Sequence, residues 1–131
     1  MYYSVKNDTD GAHVMPKKTE RRTHNCHYGC AVEAALDVIG NKWKGVILFH
    51  LLSGTKRFNE LRRLIPSVTQ RMLTLQLREL EADGVITRKV YAEVPPKVEY
   101  SLSKFGQSLK PILHSLRDWG TQIMDKHRDI E

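Results

Sequence analysis

The feature that most constrains the fold is a change of apolar period two-thirds of the way along the chain. Across residues 31–82 the apolar side chains recur every three or four positions, and from Val85 onward they alternate. Val32, Ala35, Leu36 and Ile39 begin the helical pattern, and Gly40 stops it. Asn41 is placed to cap a second helix, whose Trp43, Ile47, Leu48, Leu51 and Leu52 form one wide apolar face ending at Gly54. Residues 55–57 suit a very short strand. A third helix carries Phe58, Leu61, Leu64 and Ile65, and Pro66 ends it. After a three-residue turn a fourth helix begins at Thr69, turns Met72, Leu73, Leu77 and Leu80 inward, and closes at Asp83 and Gly84. Residues 85–91 are then rich in β-branched side chains. Residues 97–102 place Val98, Tyr100 and Leu102 on one face, and a loop with Pro95 and Pro96 joins the two as an antiparallel hairpin.

Helix, helix, short strand, helix, tight turn, helix, strand, loop, strand is the order of a winged helix-turn-helix. The expected fold is therefore mainly α with a small β-hairpin. The fourth helix crosses the third near a right angle, free to enter a DNA major groove of about 12 Å width. Residues 1–25 are polar and basic without a period and read as a flexible N-terminal arm, leaving 26–131 as the folded domain. From Ser103 the pattern is helical again. Phe105, Leu109, Ile112 or Leu113, Leu116, Trp119 and Ile123 recur close to every 3.5 residues, with Pro111 expected to kink the run.

Charge narrows the class of partner. The chain carries 21 Lys and Arg against 15 Asp and Glu, a net charge of +6, which suits double-stranded DNA before a membrane surface. The excess is not a basic tail. Its densest part is Lys42, Lys44, Lys56, Arg57, Arg62 and Arg63, all inside the expected helices and strand. No apolar run approaches the length of a membrane span, and the first residues lack the apolar run of a signal peptide. With only two cysteines, a reducing cytoplasmic (nucleoid-associated) setting is the expectation.

Several ordered segments resemble the HxlR family of bacterial regulators, within the MarR-like superfamily. They are CAVE at 30–33, LDVIGNKWK at 36–44, KRFNELRR at 56–63, RMLT at 71–74, QLRELEADG at 76–84, VPPKVEYSL at 94–102 and LRDWG at 116–120. Ala31, Asn41 and Leu75 depart from the usual family residues, and the change at Leu75 bears on what the reading helix recognises. The resemblance implies a homodimeric, DNA-binding transcription factor. It also implies a possible oxidant or electrophile effector, since several relatives sense such compounds through the cysteine that aligns with Cys30.

With the inward residues of the fourth helix set aside, Thr69, Gln70, Arg71, Thr74, Leu75 and Arg78 remain on its outer face. A reading helix aims its first turn at base edges, so Gln70, Arg71, Thr74 and Leu75 are the candidate base contacts. Gln suits adenine, Arg suits guanine, and the Thr or Leu methyls suit thymine. Thr69, with the free amides behind it, suits a phosphate. Lys56, Arg57, Arg62, Arg63 and Arg78, with Arg88, Lys89 and Lys97 on the wing, are the candidate phosphate contacts. The alternative is an ordinary solvated face, or a winged helix used for protein association, which calls for an apolar reading face. Leu36, Ile39, Phe105, Leu109, Ile112, Leu113, Leu116, Trp119 and Ile123 are the expected dimer seam between N- and C-terminal helices, giving a two-fold related operator and a repressor as the expected activity.

One cluster has chemical promise of its own. His24, Cys26, His27 and Cys30 lie within seven residues, close to Arg21 and Arg22, and cationic neighbours activate thiols. Cys30 and Cys26 are the candidate redox sensors. A bond at four-residue spacing within one helix has poor geometry, so a disulfide between subunits or with a small thiol is favoured. The alternatives are a buried structural cysteine, with regulation by a small-molecule effector or none, and a metal site, for which the spacing is crowded. No cofactor or metal is expected. Without a phosphate-cradling glycine loop, an HExxH helix or a pocketed carboxylate pair, neither is an enzyme.

Overall fold

A computed structural model describes residues 29–130. The arm expected over residues 1–25, and Cys26 with its histidine neighbours, lie outside the described residues. In chain order the elements are α1 (Ala31–Ile39), α2 (Lys44–Leu51), β1 (Lys56–Arg57), α3 (Phe58–Leu64), α4 (Gln70–Ala82), β2 (Ile86–Tyr91), β3 (Lys97–Leu102), α5 (Lys104–Gln107) and α6 (Lys110–Ile130). The chain is mostly helical, with one small antiparallel sheet in the order β1-β3-β2.

Local chemistry explains most boundaries. The Asn41 side chain accepts from the backbone N–H groups of Trp43 and Lys44, both at 3.0 Å, and so starts α2. At Gly40 a Cβ would come within 2.2 Å of the Leu36 carbonyl oxygen, so only glycine fits the corner between α1 and α2. Thr69 caps α4 by accepting from Met72 N–H at 3.0 Å. Beyond α4, Gly84 turns the chain into the sheet at φ 81°, a conformation glycine adopts without strain.

The core lies between the helices and the inner face of the sheet. Ile47, Leu48 and Leu51 of α2 meet Leu61 of α3, Leu73, Leu77 and Leu80 of α4, and Val85, Ile86, Tyr100 and Leu102 around the sheet. Each fully buried leucine contributes about 1.5–3 kcal/mol through removal from water. The reading helix is thus clamped along one stripe, and its opposite side is free.

The C-terminal region differs from the sequence expectation in two respects. Pro111 does not kink a continuous helix. Ser103 caps the four-residue α5 by accepting from Gly106 N–H at 2.9 Å, the chain breaks after it, and Pro111 falls in the first turn of α6, where its missing N–H costs nothing. Leu113, expected in the dimer seam, is instead in the subunit's own core at 2% exposure. Leu109, one turn earlier on the same side of the chain, packs against that core as well, as does Ile39 of α1. Ile112, Leu116, Trp119 and Ile123 form a separate, exposed stripe, and Phe105 of α5 and Leu36 of α1 are exposed as well. From Ser115 to Arg128 every residue but Gly120 is exposed, so most of α6 stands clear of its own domain.

Candidate nucleic-acid interface

The interface is built on α4. Its inner stripe is held by the core, so Gln70, Arg71, Leu75 and Arg78 are exposed on the outer side, with Thr74 half-buried between them. The Thr74 hydroxyl donates to the Gln70 carbonyl at 2.9 Å; its remaining acceptor capacity and its methyl are what it can offer a base. Gln70 also receives a long bond from the Arg62 guanidinium, 3.5 Å to Oε1. This brings α3 and the first turn of α4 together over the tight turn. Among the described residues no ion pair engages Arg62, Arg63, Arg71 or Arg78. A face presenting two arginines and a glutamine does not have the apolar character that protein association through the reading helix requires.

The charge cluster seen in the sequence separates into different roles. Lys44 is buried at 2% exposure and forms an ion pair with Glu79 of α4, Nζ to Oε1 2.5 Å. It therefore holds α2 to α4 and is not on the reading surface. Sequence reasoning missed this pair, since Lys44 and Glu79 are far apart in the chain. Lys56 is half-buried and donates to Ser53 Oγ at 2.9 Å, while Arg57 is exposed at the start of α3, where its backbone N–H donates to Glu60 at 2.7 Å. Burial, then the nearby Lys56 charge, hold the His50 imidazole below its ordinary pKa.

On the wing the register separates the expected basic residues. Lys89 lies opposite Glu99 and Tyr91 opposite Lys97, whereas Arg88 lies opposite Tyr100 on the other face of the hairpin. Both lysines sit over the Tyr91 ring, Lys89 at 5.0 Å and Lys97 at 4.5 Å from its centroid. The Tyr91 hydroxyl donates to Glu99 at 3.1 Å, and Lys97 is 3.6 Å from the same carboxylate. The two lysines are thereby held in a shared cluster and partly neutralised. Arg88 is exposed, and the ion pairs of the wing do not include it.

Cys30 is the free, exposed cysteine of the described residues and occupies the N-cap position of α1. Its backbone is extended and its carbonyl accepts from Ala34 N–H at 3.2 Å. The exposed Val32 and Leu36 follow on the same helix. No group of three or more metal-ligating side chains occurs among the described residues, and none of their helices is long and apolar enough to cross a membrane.

The profile of the HxlR-like helix-turn-helix family matches residues 38–128. The chain belongs to that family. It is accordingly a transcriptional regulator with a helix-turn-helix domain, in a family of regulators rather than enzymes. Among relatives of this HxlR-like chain, the HTH-type transcriptional regulator YdeP of Bacillus subtilis is 60% identical over 103 residues, covering 79% of this chain and 80% of its own. Solved structures of the redox regulator HypR are similar. The oxidized form has a TM-score of 0.69 at 62% identity, covering 71% of this chain and 96% of its own. Diamide-treated YodB from B. subtilis has a TM-score of 0.61 at 36% identity, covering 73% and 96%. These neighbours share the winged-helix architecture expected from the order of elements.

Proposed function

We propose that this HxlR-like chain is a homodimeric repressor that binds double-stranded DNA at a two-fold related operator. The observation that carries the reading is the exposed first half of α4. Its back is clamped in the core, and its outer face presents Gln70, Arg71, Thr74 and Leu75 free of carboxylate partners. In this reading those four residues contact base edges, and Thr69, Arg62, Arg63, Arg57, Lys56 and Arg78 contact phosphates. Arg88, Lys89 and Lys97 add wing contacts to the backbone, with Arg88 the strongest because its charge is not shared. A dimer seated on its operator excludes other proteins from the same DNA, hence repression.

Selection of duplexes from a randomised pool supplies the operator, and Arg71→Ala tests the reading. Specific affinity is expected to fall by about 1–3 kcal/mol, with one operator position relaxed. Binding to random duplex should change little and should weaken steeply with added salt. Equal losses on selected and random duplexes would overturn the base-contact role of Arg71.

Thiol regulation through Cys30 is the second part of the proposal. It is supported by the exposure of that thiol at the start of α1 and by the likeness to the redox regulator HypR. Two Cys30 thiols of one dimer would give two electrons and two protons to an oxidant such as diamide, which becomes the hydrazine as one S–S bond forms. A mixed disulfide with a small thiol, or a bond involving Cys26, is the other route. Cys30→Ser is expected to bind operator as the parent does but to lose the change in affinity on diamide treatment. Survival of that change in the variant would end the role of Cys30.

A further inference from the structure

The recognition helix is held on two flanks, and the second flank is polar. At about 100° per residue, Leu73, Leu77 and Leu80 form one stripe of α4. Met72, Gln76 and Glu79 form another, roughly 100° round the helix from the first and roughly 105° from Arg71. That second stripe meets the start of α2. Asn41 Nδ2 donates to Gln76 Oε1 at 2.7 Å, Gln76 Nε2 donates to Met72 Sδ at 3.0 Å, and Lys44 Nζ pairs with Glu79. Gln76 is 5% exposed, so its amide is committed to this arrangement. Asn41 is itself fixed, because the same side chain caps α2 and the preceding Gly40 corner has no room for a side chain.

Apolar contact is non-directional and leaves a helix some freedom to roll about its axis. Hydrogen bonds and a buried ion pair are directional and remove it. A roll of roughly 20° carries a side-chain end roughly 8 Å from the axis by about 3 Å, several times the tolerance of a functional contact. We propose that Asn41 and Gln76, with Lys44 and Glu79, are positioning residues that set the roll of α4, and so decide which side chains address the bases. This inference rests on the base-reading function proposed above and assigns part of its specificity to residues that touch no DNA.

The test uses the full chain and the duplex it selects from a randomised pool, with a random duplex of equal length as reference. Asn41→Ser keeps a capping oxygen for α2 but is too short to reach Gln76. Gln76→Leu removes the amide while filling its space, so the variant retains a packed core. Each is expected to weaken selected-duplex binding about tenfold while changing random-duplex binding less than about twofold. The double variant should be no worse than the more affected single one, since both cut the same link. Equal losses on both duplexes, or losses that multiply in the double variant, would overturn the positioning role. A parent protein that fails to prefer any duplex would overturn the base-reading function itself, an outcome separate from either of these.

Discussion

A variant carrying Leu116→Glu and Trp119→Glu is expected to elute at the mass of a single chain and to bind its operator at least about 100-fold more weakly. The parent should elute as a dimer. The expectation follows from the division of α6 into two faces. Leu109 and Leu113 serve the subunit's own core, whereas Ile112, Leu116, Trp119 and Ile123 are left uncovered. A stripe of that length on a helix of about 30 Å is a larger apolar surface than a monomer ordinarily leaves in water. A second copy of the same helix can cover it across a two-fold axis. Two carboxylates placed there on each copy oppose that association by both desolvation and repulsion. Loss of the dimer removes the second half-site contact, which otherwise forms at high effective concentration, and avidity of that kind spans about 10²–10⁴. A variant that keeps the dimer mass would place the interface elsewhere.

The largest effect on folding is expected from Glu79→Ala. The Lys44 side chain is 3% exposed, so removing its carboxylate partner leaves an ammonium with little water. Breaking a buried pair from one side costs about 3–5 kcal/mol. Water reaches a quarter of the Glu79 side chain, which places this case lower, at roughly 2–4 kcal/mol. For a folded unit of this size the melting temperature should fall by on the order of 10–20 °C. Replacing both partners with apolar residues, Lys44→Met with Glu79→Leu, should restore most of that stability, because no charge is then stranded. Thermal unfolding of the parent and the two variants decides the matter. A loss in Glu79→Ala within about 0.5 kcal/mol would mean that Lys44 finds water or another acceptor.

Most of the architecture is legible in the sequence because punctuation and period agree. Gly40, Pro66 and Gly84 mark turns, the caps Asn41 and Thr69 precede apolar runs, and the alternation after Val85 marks the hairpin. The outer face of α4 follows by subtraction once Leu73, Leu77 and Leu80 are placed inside. What could not be read depends on distant partners. Ile112 and Leu113 are adjacent and equally apolar, and only the position of the rest of the core makes one internal and the other external. Lys44 looks like the other basic residues around it until Glu79, brought beside it by helix packing, turns it into a buried structural ion. The split between α5 and α6 depends on Ser103 and Gly106 docking against the start of the sheet, where the Ser103 hydroxyl donates to the Gly84 carbonyl at 2.6 Å.

The two-residue strand β1 has an effect out of proportion to its length. Lys56 pairs with Tyr100 and Arg57 with Glu99, so the strand that leads directly into α3 is also the edge of the wing. The reading helix and the hairpin of one subunit thereby form one block: the Gly84 turn leads α4 into β2, and β1 pairs the entry to α3 with β3. In the proposed dimer, the separation of the two blocks is left to the helices between them. Each base pair inserted between half-sites adds about 3.4 Å and roughly 35° of rotation. Such a protein tolerates errors in the letters of its operator more readily than errors in the gap between its halves.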